Sequence, residues 1–342
     1  MRLAAGLLIA HLPDVVAKGD DMQVETLSAA TTQTSANAAE IAAIANLKGG
    51  VGKSTTTIML ADGLAYFYGL EVLVIDLDSQ ANASQILLTE SGIKAAHEQE
   101  KGADFLLKQF IDGERPAAAP FIVPNAVSLD ELRRAEERDE RLGWVAALPS
   151  HPQLRLGEMS LEEDWYSGTG TPSSLAAALT EHFRAAVKPL LSLYDVILID
   201  CPPHLSPLAR AALATADSFI LPTLADPIST WGTKQFSDWV CEHVTPDLPE
   251  RNFVVVTRFR NTALARQIRS ELEDVYLKDR FFGTAIPDSI NVVRAMDRPA
   301  ADSYSSFRGK YASVTGDVRR LAQRYVEFMG QRTGQAWKMV RD

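Results

Sequence analysis

Lys48-Gly49-Gly50-Val51-Gly52-Lys53-Ser54-Thr55 is the stretch whose reading decides the fold. The apolar run 41–46 precedes it and reads as a buried strand. Residues 54–68 follow with a helical pattern that stops at Gly69. A strand, a glycine loop and a helix in that order make a phosphate loop credible. Glycines let backbone N–H groups turn inward on an anion, and the helix N-terminus adds its partial positive charge. In such a loop Gly49, Gly50, Val51, Gly52 and Thr55 surround the phosphates. Lys53 reaches the β- and γ-phosphates, and Ser54 gives its hydroxyl to Mg2+.

Two acidic strand ends follow. Glu71-Val-Leu-Val-Ile-Asp76 reads as a buried parallel strand and runs into Asp76-Leu77-Asp78-Ser79-Gln80. The stretch 194–203, Tyr-Asp-Val-Ile-Leu-Ile-Asp-Cys-Pro-Pro, is a second apolar strand ending in an acid. This is the form of a Walker B strand, in which Asp200 holds Mg2+ through water. Carboxylates at the C-terminal ends of strands stand where α/β sheets place their ligands.

An ordinary phosphate loop has no need of a lysine at position 48. Lys-Gly-Gly-x-Gly-Lys-Ser-Thr, Asp-x-Asp-x-Gln at 76–80 and Asp-x-Pro-Pro at 200–203 together resemble the ParA/MinD family of deviant Walker A ATPases, and most closely its ParA-type partition members. The resemblance implies ATP and Mg2+ as cofactors and slow hydrolysis stimulated by a partner, often a ParB-like protein. It also implies a homodimer that forms on ATP binding. It assigns Lys48 to the partner subunit's phosphates, Asp78 to orienting the attacking water, and Asp76 to the metal and switch region. The strand ending Ile286-Pro287 would bring its loop near the adenine. Ser79 departs from the family's proline, which leaves that turn less rigid and removes no chemical group.

The rest of the chain is consistent with a doubly wound α/β fold of the P-loop NTPase type. Further strands are expected at 142–149, 218–222, 253–257 and 282–287, each reached through a helical segment, so the sheet should be mostly parallel and covered on both faces. Helices are expected at 98–113, 130–141, 173–193 (disturbed by Pro189), 207–216, 228–244, 262–276 and 311–331, with a short one in 288–296. Trp231, Phe236 and Trp239 in the 228–244 helix read as core packing. In the last helix Val318, Leu321, Ala322, Tyr325, Val326 and Met329 form a core-facing stripe.

The 342 residues are 46% hydrophobic and 23% charged, as in an ordinary globular protein. The two cysteines, Cys201 and Cys241, make no Cys-x-x-Cys, which argues against a disulfide framework and against a chain-contained zinc or iron–sulfur site and suits a cytoplasmic setting. Cys201 reads as packing, and His151 as a loop histidine without metal-ligand neighbours. Residues 1–39 are expected to be a flexible leader, with Met22 a second possible start, before an ATPase domain over 40–342. Region 90–170 has 16 acidic and 9 basic residues and reads as a peripheral acidic elaboration.

Net charge is −10, yet residues 251–342 hold 17 Lys and Arg against 10 Asp and Glu. Such asymmetry allows a local positive face toward DNA phosphates. Arg258, Arg260, Arg266, Arg269 and Arg294 are the candidate contacts for DNA bound without sequence preference. The alternative is a MinD-like ATPase that binds membrane or positions a protein cargo, and it needs a terminal amphipathic helix. The tail 331–342 contains Gly334 and is short, though Trp337, Met339 and Val340 keep that reading open. No Asn-Lys-x-Asp guanine motif occurs. A small-molecule ligase or kinase on the same fold also remains open.

Overall fold

The computed structural model describes residues 39–126, 129–134, 142–168, 170–245, 251–275, 281–297, 304–334 and 336–341. The leader before residue 39 and residues 135–141 of the helix expected at 130–141 lie outside them. Seven strands form one sheet in the order β3-β2-β4-β1-β5-β6-β7, every pair parallel. They are β1 (Glu40–Ile44), β2 (Glu71–Asp76), β3 (Trp144–Leu148), β4 (Val196–Asp200), β5 (Ser218–Leu224), β6 (Asn252–Phe259) and β7 (Phe281–Pro287).

The helices are α1 (Lys53–Tyr68), α2 (Asn82–Glu98), α3 (Ala103–Ile111), α4 (Gln153–Ser167), α5 (Pro172–Val187), α6 (Pro207–Thr215), α7 (Pro227–His243), α8 (Ala263–Val275), α9 (Ile290–Met296), α10 (Phe307–Tyr311) and α11 (Thr315–Thr333). A single helical turn, Asp130–Arg133, precedes β3.

The continuous apolar runs follow from burial on both faces. Ile41, Ala43, Leu73, Ile75, Ile197, Ile199, Phe219 and Leu221 point into one core, which α3 to α8 cover. Their neighbours Ala42, Ile44, Val72, Val74, Val196, Leu198 and Ile220 point into the other, covered by α1, α2, α9, α10 and α11. The expected stripe of α11 is wholly buried there. Across the middle of the sheet Ile44 pairs with Asp200, and Asp200 with Asp76. Three strand ends therefore meet at one level, beside the loop that enters α1.

Several expectations change. The helix read over 98–113 is shorter: it is α3, Ala103–Ile111, which starts after Gly102, whose φ of 149° few L-residues adopt, while α2, ending at Glu98, is not among the expected helices. The buried positions of α2, Ala83, Ser84, Ile86, Leu87, Ile93 and Ala96, form no regular apolar stripe, and Thr89 interrupts the helix with φ of 68°. The helix read over 173–193 ends at Val187, where Pro189 turns the chain into a 3-10 segment, Lys188–Ser192. The last helix starts at Thr315 rather than Tyr311, because Ala312 has φ of 46° and separates it from α10. In α7 Phe236 is buried and Trp239 packs against the core, but Trp231 is 66% exposed, so its core reading is wrong. The helix turns it away from the sheet.

The tail folds back onto α1. The Val340 N–H donates to Phe67 O at 2.8 Å, Trp337 packs on the core, and Arg341 reaches Glu131 Oε1 at 2.7 Å. Described residues after Gly334 are not helical. Among the described residues no helix is long and apolar enough to cross a membrane.

A buried ion pair joins α1 to α10. Lys310 Nζ in α10 donates to Asp62 Oδ2 in α1 at 2.5 Å, and the Tyr311 hydroxyl donates to the same oxygen at 2.6 Å. Asp62 and Lys310 side chains are fully buried. Burial, then the Asp62 charge, pushes the Tyr311 phenol well above its ordinary value.

Candidate functional site

The loop between β1 and α1 wraps an open space at the helix N-terminus. Gly50 and Gly52 have φ of 73° and 85°, which fits the glycines to the turn. A side chain at Gly52 would also meet Thr257 Cβ at 3.4 Å. The first turn of α1 contains no acidic residue, so its N–H groups face an anion unopposed. The loop is held from outside. Thr257 Oγ1, at the end of β6, donates to Val51 O at 2.6 Å. Asn46 Nδ2 donates to Pro222 O at 2.8 Å and to Thr233 Oγ1 at 3.0 Å, while its Oδ1 accepts the Lys48 N–H at 3.0 Å.

The two lysines differ. Lys53 is buried, and its Nζ lies 3.5 Å from Lys48 O, inside the loop. Burial pulls its ammonium below the ordinary value, against the opposing charges of Asp200 and Asp78. Lys48 is 39% exposed and turns away from the loop. Its Nζ donates to Ser229 Oγ at 2.6 Å and lies 3.8 Å from Asp226 Oδ2. Asp226 caps α7 by accepting the Ser229 N–H at 2.9 Å, so Lys48 is stored against a helix N-cap.

The acidic residues gather opposite Lys53. Asp200 and Asp76 are buried, and burial pushes both carboxyls above their ordinary range, Asp200 further because Asp76 stands beside it. Thr57 Oγ1 donates to Asp200 Oδ1 at 3.2 Å, and the Ser54 hydroxyl also bonds Asp200. Asp200 Oδ2 is buried with no hydrogen-bond partner. Two buried carboxylates, a hydroxyl and an orphaned acid oxygen form the hard-oxygen donor set that suits Mg2+. Asp76 is more occupied: Oδ1 accepts the Asp78 N–H at 3.0 Å, and Oδ2 accepts the Ser84 N–H at 2.9 Å and Oγ–H at 2.7 Å. It thereby fixes the turn that carries Asp78. Asp78 is 7% exposed, and its Oδ1 accepts the Gln80 N–H at 3.0 Å.

Cys201 is buried beside Asp200, and burial with that charge drives its thiol well up, as suits a packing residue. Pro287 ends β7 opposite Phe259, three strands from β1 in the sheet order. Of the five arginines, Arg258, Arg266 and Arg294 are exposed. Arg260 is exposed too but pairs with Asp288. Arg269 is half-buried, donates to Gly283 O and lies over the rings of Phe259 and Phe281, so it serves packing first.

Residues that clamp the loop escaped the sequence reading. Asn46, Ser229, Thr233 and Thr257 act by hydrogen bonds across strands distant in sequence, and only the Asp226-Pro227 helix-start signal was legible locally.

A family model described as an AAA domain matches residues 39–246. The chromosome-partitioning ATPase Soj of Thermus thermophilus is 30% identical over 256 residues, 74% of this chain and 83% of that protein. The chromosome partitioning protein ParA of Myxococcus xanthus is 29% identical over 263 residues, 75% of this chain and 78% of that one. Among solved structures, a putative plasmid partition protein of Borrelia burgdorferi bound to AMPPNP superposes with a TM-score of 0.57 at 20% identity, covering 84% of this chain and 99% of that one.

Proposed function

The chain belongs to the ParA-type family of P-loop partition ATPases, and on that premise we propose that it is an ATP-hydrolysing switch that dimerises on ATP and then binds DNA without sequence preference. The observation that carries this is the division between its two lysines. Lys53 serves its own loop, while Lys48 stands half-exposed on a helix cap and is available to a second subunit.

Lys53 and the loop N–H groups hold the β- and γ-phosphates of ATP. Asp200 and Ser54 would hold Mg2+, which neutralises charge on the phosphates when bound. Asp76 adds its charge and anchors the turn of Asp78. Asp78 orients the water that attacks the γ-phosphorus, and ADP leaves as the phosphoryl group passes to that water. ATP favours the closed dimer only through contacts the γ-phosphate makes there, so hydrolysis reopens it. A ParB-like partner would accelerate that step. Pro287 and its loop take the adenine side.

Replacing Lys48 by alanine is expected to weaken ATP-dependent dimerisation at least tenfold while leaving ATP binding largely intact, because the side chain is not part of its own loop's lining. Light scattering after size exclusion, with and without ATP, measures this. Unchanged dimerisation would remove Lys48 from the interface.

DNA binding is tested on non-specific duplex with ATP, with ADP and with neither. Binding is expected with ATP alone, falling about tenfold or more between 50 and 200 mM salt if two or more phosphates are contacted. Arg258, Arg266 and Arg294 are the contacts favoured by their exposure, with Arg260 and Arg269 supporting the same edge. No binding in any nucleotide state would defeat the DNA reading. The MinD-like alternative gains nothing from the tail, whose described residues after Gly334 are not helical and bond back to α1.

A further inference from the structure

Three side chains from three separate elements converge at the β3 edge of the sheet, away from the phosphate loop. His97 lies in the last turn of α2, Asp104 in the first turn of α3, and His151 in the loop leaving β3. Their ligand atoms all lie within 4.8 Å of one another. His97 Nε2 is 3.1 Å from Asp104 Oδ2 and 3.1 Å from Gln153 Oε1. The two imidazoles stack with centroids 3.9 Å apart. The Asp104 side chain is only 10% exposed, and its Oδ1 is buried with no hydrogen-bond partner. The sequence expectation that His151 has no metal-ligand neighbours is therefore wrong. Its neighbours come from far upstream, where spacing rules cannot see them.

We propose that His97, Asp104 and His151 bind one divalent transition-metal ion of the zinc class, with Gln153 or water completing the shell. Two imidazole nitrogens and one carboxylate oxygen suit Zn2+, whereas Mg2+ and Ca2+ prefer oxygen alone. Ligand bonds of about 2.0–2.2 Å place tetrahedral ligand atoms about 3.3–3.6 Å apart; His97 Nε2 and Asp104 Oδ2, 3.1 Å apart, already stand near that spacing, and the wider separations, up to 4.8 Å, close by about 1 to 1.5 Å through side-chain rotation. The ion takes the place of the direct His97–Asp104 contact and neutralises the carboxylate.

Its work is structural. The ion ties α2, α3 and the β3 loop together, adding to contacts such as the Ala103 N–H to Pro149 O at 2.8 Å. The same loop backs the aspartate cluster. The Ser150 N–H donates to Ser84 Oγ at 2.9 Å, and Ser84 Oγ donates to Asp76 Oδ2 at 2.7 Å. The inference stands whether or not the chain binds DNA.

The test is a titration of the full chain, stripped with a chelator, with Zn2+ against a chromogenic competitor in excess Mg2+. One equivalent is expected to bind. His97→Ala and His151→Gln should each weaken it at least about tenfold, as ligand loss does. Asp200→Asn should leave it unchanged. Co2+ in place of Zn2+ should give the visible absorption of a tetrahedral site, lost in both histidine variants. Circular dichroism checks that each variant folds, and Asp104→Asn serves if His97→Ala does not. Binding that survives the histidine changes but disappears with Asp200→Asn would overturn the proposal, as would no stoichiometric binding.

Discussion

Asp62→Ala is expected to destabilise the protein by about 3–5 kcal/mol, the usual cost of removing one member of a fully buried ion pair. The variant leaves the Lys310 ammonium and the Tyr311 hydroxyl facing a methyl group in a site with no solvent exposure. Desolvation of the lysine, already complete in the native state, is then no longer offset by its acid. Urea unfolding followed by circular dichroism reads the loss as a lower midpoint at unchanged slope. A double variant, Asp62→Leu with Lys310→Met, should recover much of it, since two apolar groups of similar size replace the pair. The recovery should be incomplete, because the Tyr311 hydroxyl still lacks its acceptor. A loss below about 1 kcal/mol in the single variant would mean that water reaches the pair.

Asp78→Ala is expected to lower ATP hydrolysis by about 10²–10⁴-fold, the range for removing a positioned general-base or water-orienting group. ATP affinity should change little, because Asp78 bonds its own turn and no element of the phosphate loop. The protein should then accumulate as the ATP-bound dimer. Single-turnover hydrolysis and the oligomeric state in ATP separate the two effects. Hydrolysis at the parental rate would take Asp78 out of the mechanism. Loss of nucleotide binding would instead mean that the Asp78 carboxylate positions Lys53, whose ammonium it draws upward against burial.

What was legible in the sequence was whatever depends on neighbours in the chain. The phosphate loop, the acid-ended strands β2 and β4 and the buried stripe of α11 all lie in short windows with strong periodicity or fixed spacing. Strand positions were read within a few residues because runs such as Val196–Ile199 are buried on both faces and bounded by polar residues. The misreadings share one cause. Trp231 and His151 have surroundings set by how distant elements meet, and nothing in their local pattern separates an exposed tryptophan from a buried one. α2 was missed because its buried residues are irregularly spaced and Thr89 kinks it, so no apolar stripe marks it in the sequence.

The clamps on the phosphate loop also set an order of events in the making of the protein. The loop is synthesised early, but Asn46 finds its carbonyl on Pro222, 176 residues on, and Val51 finds Thr257, 206 residues on. β1 cannot pair until β4 and β5 exist. At about 5–20 residues per second, a ribosome needs about 10–40 s to supply Thr257 after Val51. During that interval the nascent chain carries an unclosed loop flanked by apolar strands, a long-range topology that folds slowly and invites association. Nucleotide can stabilise the chain only after most of it has emerged, so ATP acts on the finished fold and gives no help to its first half.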